Sequence, residues 1–285
     1  MILAKNYIDE KERYETTERL VREFPFIKSE IIGRSHYGRK IMSYSIGNTK
    51  EQILFCGAIN ATDSIITYIL FNFLENLCNS IKSGDNLSEI NVERFLKRRG
   101  LVIIPCINPD GVEIVGHGAV SSGRYEKFVQ NMCEGDSSNW KANANGIEIN
   151  SNFEIEYNKI KNKKEETQSN LLHTHSEPET RAIINLCREK NIRHAISFNC
   201  KKQEISYNFG YKTLPRAKIM ANIMAKSSGY ALHNTAGDNK AIGFKEWFME
   251  EFKKPAFTVG VGEDNISYEG LYNQLEEMMI LSLII

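Results

Sequence analysis

Apolar positions recur along this chain with two different periods, and the switch between them marks out its elements. Ile65, Ile66, Ile69, Leu70, Phe73, Leu74 and Leu77 fall on one face of a predicted helix. Gln52–Cys56, Leu101–Ile107, His194–Phe198 and Ala256–Val261 are instead short and continuously apolar, as strands buried on both faces are. Thr17–Phe24 reads as a short helix, and EIIGRSHYGRKIMSYSIG as strand-like sequence around a glycine-bearing turn at YGRK. Ser176 and Glu179 make a predicted capping box for a helix striped by Ala182, Ile183, Leu186 and Cys187. Pro215–Ser228 is a predicted helix stopped by Gly229, and Leu271–Ile285 a final amphipathic one. NPDG after the strand at 101–107 reads as a turn, and Ser121–Asn170 as loop, including the charge-rich KIKNKKEETQSN.

Buried strands alternating with helices imply an α/β chain with a mainly parallel sheet covered on both faces. No internal repeat and no linker rich in Pro, Gly or Ser divides it, so residues 1–285 are expected to form one domain.

Charge changes the picture by exclusion. Thirty-six basic residues balance thirty-six acidic ones, which argues against a broad electrostatic footprint for nucleic acid or anionic membrane. The stretch from Ile65 to Leu77 is interrupted by Thr67, Asn72 and Glu75, too short and too polar to span a bilayer. The six cysteines show no CxxC spacing and sit mostly in apolar runs, which favours a reducing compartment. The first residues turn charged without an apolar core of the signal-peptide kind, so a cytoplasmic location is expected.

Seven segments carry a family signature in order: IIGRSHYGRKIMSYSIG, LFCGAINATDSI, LVIIPCINPDGVE, NWKANANGIEINSNF, SEPET, AISFNCKKQEISYNFG and GFKEWFMEEFKKPAFTVGVG. Together they resemble the zinc carboxypeptidases, in particular the bacterial branch of γ-D-glutamyl-diamino acid endopeptidases that trims peptidoglycan stem peptides. The resemblance spans about residues 30 to 265 and implies a mixed, mostly parallel eight-stranded sheet with helices on both faces. It also implies a pocket at the carboxyl ends of the central strands.

In active members two His and one Glu hold zinc, leaving a position for the attacking water. Matched to that pattern, the first His falls on Asn60, the Glu on Asp63 and the second His on Asn199. Neutral amide oxygens are poor zinc ligands, so no bound zinc is expected; an all-oxygen set could hold Ca²⁺ or Mg²⁺ weakly. The family's catalytic Glu falls on Gly260, which can neither take nor give a proton. Glu263 lies three residues on and is expected to face elsewhere. Around the cleft, Asn150 matches a carboxylate-holding Asn and Ser151 replaces the Arg of exopeptidases. Lys141 stands where an Arg polarises the scissile carbonyl, and Asp238 aligns loosely with the mobile Tyr.

Other chemistry is weaker. His173 and His175 end a polar loop and read as solvated, while Cys200 is expected on the far side of its strand from Asn199. His36, His117, His194 and His233 are dispersed and suggest no Ser-His-Asp order, and His194 reads as a satisfied core residue. Taken alone, Asn60, Asp63 and Asn199 would be ordinary polar residues satisfying loop backbone. The resemblance implies instead an inactive homologue that binds a peptide, a muropeptide or a protein partner through the old cleft. Two readings compete: an active metallopeptidase with substitute ligands, cleaving stem peptides or C-terminal residues, and a purely structural subunit of an assembly.

Overall fold

The continuously apolar runs become the middle of a sheet. A computed structural model describes residues 7–153, 175–209, 214–234, 242–262 and 268–285. Its strands are β1 (Lys28–Arg34), β2 (Lys40–Ile46), β3 (Gln52–Cys56), β4 (Gly100–Ile104), β5 (Ile192–Asn199), β6 (Glu204–Ser206), β7 (Ala231–His233) and β8 (Ala256–Gly260). They form one eight-stranded sheet in the order β1-β2-β4-β3-β5-β8-β6-β7. The centre, β4-β3-β5-β8, is parallel, with antiparallel β1 and β2 on one flank. On the other flank β6 runs antiparallel to β8 and parallel to β7.

Helices α1 (Glu10–Glu23), α2 (Ser64–Ser83), α3 (Val92–Leu96), α4 (Pro109–His117), α5 (Glu126–Met132), α6 (Pro178–Glu189), α7 (Pro215–Ser228), α8 (Phe244–Phe252) and α9 (Tyr268–Ile284) complete the described elements. Alternate strand residues feed two cores, as the pleat requires. Ile53, Phe55, Leu101 and Ile103 pack on one face with α2, α7 and α9. Leu54, Cys56, Val102 and Ile104 pack on the other with α6 and α8. Each fully buried large side chain in these layers stabilises the fold by about 1.5–3 kcal/mol. The α/β class and the mostly parallel mixed sheet expected from the sequence are therefore present.

Several local expectations needed correction. α1 starts at Glu10, seven residues before Thr17, because Asp9 and Glu12 form a capping box at 2.8 and 3.1 Å. Only Leu20 of α1 is buried, so no apolar stripe announces its first half. NPDG opens α4 rather than a free turn: Asn108 Oδ1 accepts the Gly111 N–H at 3.0 Å and Pro109 takes the first helical position. Ser176 does not cap α6; its hydroxyl donates to Glu177 Oε1 at 2.7 Å, and Glu177 takes the N-cap position without a side-chain capping bond. Within 121–153 there is helix as well as loop, since α5 follows a 3-10 turn at Ala119–Tyr125. KIKNKKEETQSN lies outside the described residues.

The β1–β2 turn is pinned across the fold. Asp110 of α4, fully buried, accepts from Ser35 Oγ, the Tyr37 N–H and Arg39 Nη1, each at 2.8 Å. Arg39 also donates to Glu10 Oε2 at 2.9 Å and to the Ser121 carbonyl at 3.0 Å. On β1 the register slips between Ile31 and Gly33. A Cβ at Gly33 would stand 2.6 Å from Ala182 Cβ, so glycine lets α6 close against this outer strand.

Candidate functional site

The central strands end together, and their outgoing loops bring the matched residues into one place. After β3, Gly57 allows the loop to lie on α2: a Cβ there would meet Ile66 Cγ2 at 2.2 Å. Asn60 and Asp63 follow, and the amide Nδ2 of Asn60 donates to Asp63 Oδ2 at 2.8 Å. The other carboxylate oxygen, Oδ1, accepts the backbone N–H of Cys200 at 3.0 Å. Asp63 is buried, and that burial pushes its pKa up against the lowering effect of both hydrogen bonds.

Asn199 ends β5 in register with Gly260 of β8. Its Oδ1 is buried without a hydrogen-bond partner. The chain then folds across β8: the Asn199 carbonyl accepts the Val261 N–H at 2.9 Å, and the Lys201 carbonyl accepts the Gly262 N–H at 2.7 Å. A Cβ at Gly260 would stand 2.1 Å from the Lys202 oxygen and 3.0 Å from the Lys201 oxygen. Backbone therefore occupies the space through which a side chain at 260 would leave.

These placements decide which groups could hold a metal. Both Asp63 oxygens already accept hydrogen bonds, and Asn60 turns its amide nitrogen, not its oxygen, toward Asp63. Among the described residues no group of three His, Cys, Asp or Glu side chains comes together here. The donor set does not fit the tetrahedral nitrogen and sulfur preference of zinc. For a harder cation, the unpartnered Asn199 Oδ1 is free without breaking an internal bond.

The remaining cleft residues spread outward. Lys141 is exposed, and its carbonyl accepts the Ala61 N–H at 3.2 Å, tying its segment to the β3 loop. Asn150 sits in a 3-10 turn at Ile149–Asn152 and accepts the Phe244 N–H at 3.2 Å, at the start of α8. Ser151 beside it is exposed. Asp238, Glu263 and His173 lie outside the described residues. The backbone N–H of His175 donates to the Asn152 carbonyl at 2.9 Å.

Three findings were not foreseen. Cys200 does not turn away, because both its N–H and its thiol reach the Asp63 carboxylate. His194 is fully buried, and that burial, with the Arg193 charge nearby, pulls its pKa down to about 3 against a hydrogen bond with the Ser282 backbone. Lys245 is buried beside the Asn150 turn, with Nζ donating to the Asn208 carbonyl at 2.5 Å and paired with Glu246 at 2.7 Å. Its place one residue inside α8, next to Trp247, gave no cue in the apolar pattern. A cavity of about 820 Å³ lies elsewhere, under α1 between Arg13, Tyr14, Met42, Tyr44 and Glu113. None of Asn60, Asp63, Asn199, Lys141 or Asn150 lines it.

A family model described as zinc carboxypeptidase matches residues 14–260.

The chain belongs to the zinc carboxypeptidase family.

It is 25% identical over 251 residues to γ-D-glutamyl-L-diamino acid endopeptidase 1 of Lysinibacillus sphaericus, covering 86% of this chain and 63% of the relative. It is 24% identical over 277 residues to protein YqgT of Bacillus subtilis, covering 92% of this chain and 73% of that one. This zinc carboxypeptidase homologue thus spans just under two thirds of the endopeptidase's length. Among solved structures, bovine thrombin-activatable fibrinolysis inhibitor, in complex with tick carboxypeptidase inhibitor, superposes with a TM-score of 0.74. That match is 16% identical and covers 98% of this chain and 96% of the other. At that identity the likeness concerns the fold. Among the described residues no helix is long and apolar enough to cross a membrane.

Proposed function

We propose that this member of the zinc carboxypeptidase family binds a peptide of the peptidoglycan stem type in its strand-end cleft without hydrolysing it. The observation that carries the reading is the closure over Gly260. Peptide hydrolysis by a metal-bound water needs a group to take the water's proton and pass it to the leaving amine. At residue 260 such a group is absent, and the carbonyls of Lys201 and Lys202 fill the path it would take. The internal bonding of Asp63 supports the same reading, because both its oxygens accept hydrogen bonds without an ion. Exposed Lys141 remains to meet a ligand by charge. The peptide class is taken from the γ-D-glutamyl-L-diamino acid endopeptidase relative.

The test pairs binding with turnover. Calorimetry with γ-D-glutamyl-diaminopimelate peptides should give a measurable affinity that Lys141→Ala weakens, while zinc-supplied protein leaves the peptide intact. Chelator-sensitive cleavage would return the chain to the working metallopeptidases.

A further inference from the structure

Around Asn143, three side chains other than those matched to the zinc ligands converge on one point. His36 comes from the β1–β2 turn, Glu177 holds the N-cap position of α6, and Glu179 sits in the first turn of that helix. One potential ligand atom from each lies within 4.8 Å of the others. We propose that His36, Glu177 and Glu179 hold a first-row divalent cation of the zinc or manganese class, at a site separate from residues 60, 63 and 199.

The unsatisfied valence of Glu179 is the first argument. Glu179 is fully buried, and among the described residues no other residue donates to its Oε1. A buried carboxylate oxygen left unmet is costly, and native folds nearly always supply a donor, a water or an ion.

Charge is the second. Glu177 Oε2 and Glu179 Oε2 share a single amide donor, Asn143 Nδ2, at 2.6 and 3.2 Å. The Asn143 orientation is fixed, because its Oδ1 accepts the N–H groups of Asn145 and Ile147 at 3.0 and 3.1 Å. Ser176 takes Glu177 Oε1 at 2.7 Å. Among the described residues no Lys or Arg pairs with either carboxylate. Arg39, from the same turn as His36, is committed to Asp110 and Glu10 at 2.8 and 2.9 Å. The one partner able to carry positive charge is His36, at 2.6 Å from Glu177 Oε2. Two acid side chains thus face at most one cationic group among the described residues. A divalent ion held by a neutral imidazole offsets both.

Geometry and access complete the case. One nitrogen and two carboxylate ligands, with room for water, suit zinc or manganese better than calcium, which takes oxygen alone. At about 2.1 Å from the metal such ligands sit some 3–4 Å apart, so the His36–Glu177 pair, now at 2.6 Å, has to open to admit the ion while the wider separations, within 4.8 Å, close on it. The His36 side chain is 23% exposed, which gives an ion a way in from solvent. Once bound, the ion would clamp the edge hairpin to the start of α6. Nothing in this inference depends on what the cleft does.

The experiment uses the whole chain, stripped with chelator and titrated with Zn²⁺ or Mn²⁺ alone by calorimetry, with thermal unfolding in parallel. One equivalent should bind and raise the midpoint. His36→Ala and the isosteric Glu179→Gln should each weaken binding at least about tenfold. Asn199→Ala should leave it unchanged. Failure of the folded parent to bind either ion overturns the proposal, as does binding that survives both variants. Binding lost in Asn199→Ala overturns it too, and places the ion in the cleft, against the functional reading as well. Visible absorption of bound Co²⁺, expected to change with His36→Ala, keeps the test readable if Glu179→Gln folds poorly.

Discussion

The carbonyl oxygen of Lys202 lies 2.1 Å from where a Cβ on Gly260 would be. A carboxyl side chain cannot be added at 260 without moving the 199–202 segment, whose carbonyls also hold Val261 and Gly262. Gly260→Glu is therefore expected to destabilise the protein by about 1–3 kcal/mol, the usual cost of overpacking, and to confer no hydrolysis. Urea unfolding and a stem-peptide assay measure the two outcomes. A variant as stable as the parent would show that the segment yields.

Asp63 joins two strand ends: the β3 loop through Asn60 and the end of β5 through Cys200. Asp63→Ala leaves two donors unmet in a buried place and should cost about 2–4 kcal/mol, at roughly 1–2 for each. Asp63→Asn keeps one acceptor and should cost less. Chemical denaturation ranks the series, and equal losses for the two variants would contradict the bonding described.

Arg39 and Asp110 form a pair with side-chain exposures of only 10% and 0%. Removing the cation strands a buried carboxylate, so Arg39→Ala should lose about 3–5 kcal/mol. Arg39→Lys should recover little, since a single ammonium cannot reach Asp110, Glu10 and the Ser121 carbonyl together. Because the pair is shielded, the loss should change little between low and high salt. Melting curves of the two variants at both ionic strengths decide it.

His194 sets an acid limit. Its pKa is about 3 in the fold against 6.5 for the free side chain. The unfolded chain therefore binds a proton that the native chain refuses between those values, and stability falls as pH drops through that window. The difference in unfolding free energy between pH 7 and 4.5 should be about 2–3 kcal/mol smaller in His194→Leu than in the parent. Parallel pH profiles for parent and variant would refute this.

Strands buried on both faces were legible because continuous apolar runs have few other uses. β3 was placed to the residue, and α7 with its Gly229 stop was equally clear. What failed were elements whose cause is polar or distant. The first half of α1 rests on a cap and not on a stripe, and α5 buries only Val129. β6 and β7, three residues each, are strands only because neighbours pair with them. Motif order located Asn60, Asp63, Asn199 and Gly260 near one another, but not the bonds among them. Nor could spacing show that Glu179, read as a capping residue, turns inward toward His36, more than 140 residues away.

The slip between Ile31 and Gly33 has a consequence for solubility. β1 is the outermost strand, and Ile31 is 48% exposed on it. A straight strand there would offer a ladder of free N–H and C=O groups to another molecule. The irregular register breaks that ladder, charged Lys28 and Glu30 flank it, and α6 presses on its inner side at Gly33. The open rim of the sheet is thereby a poor template for amyloid-like stacking between copies.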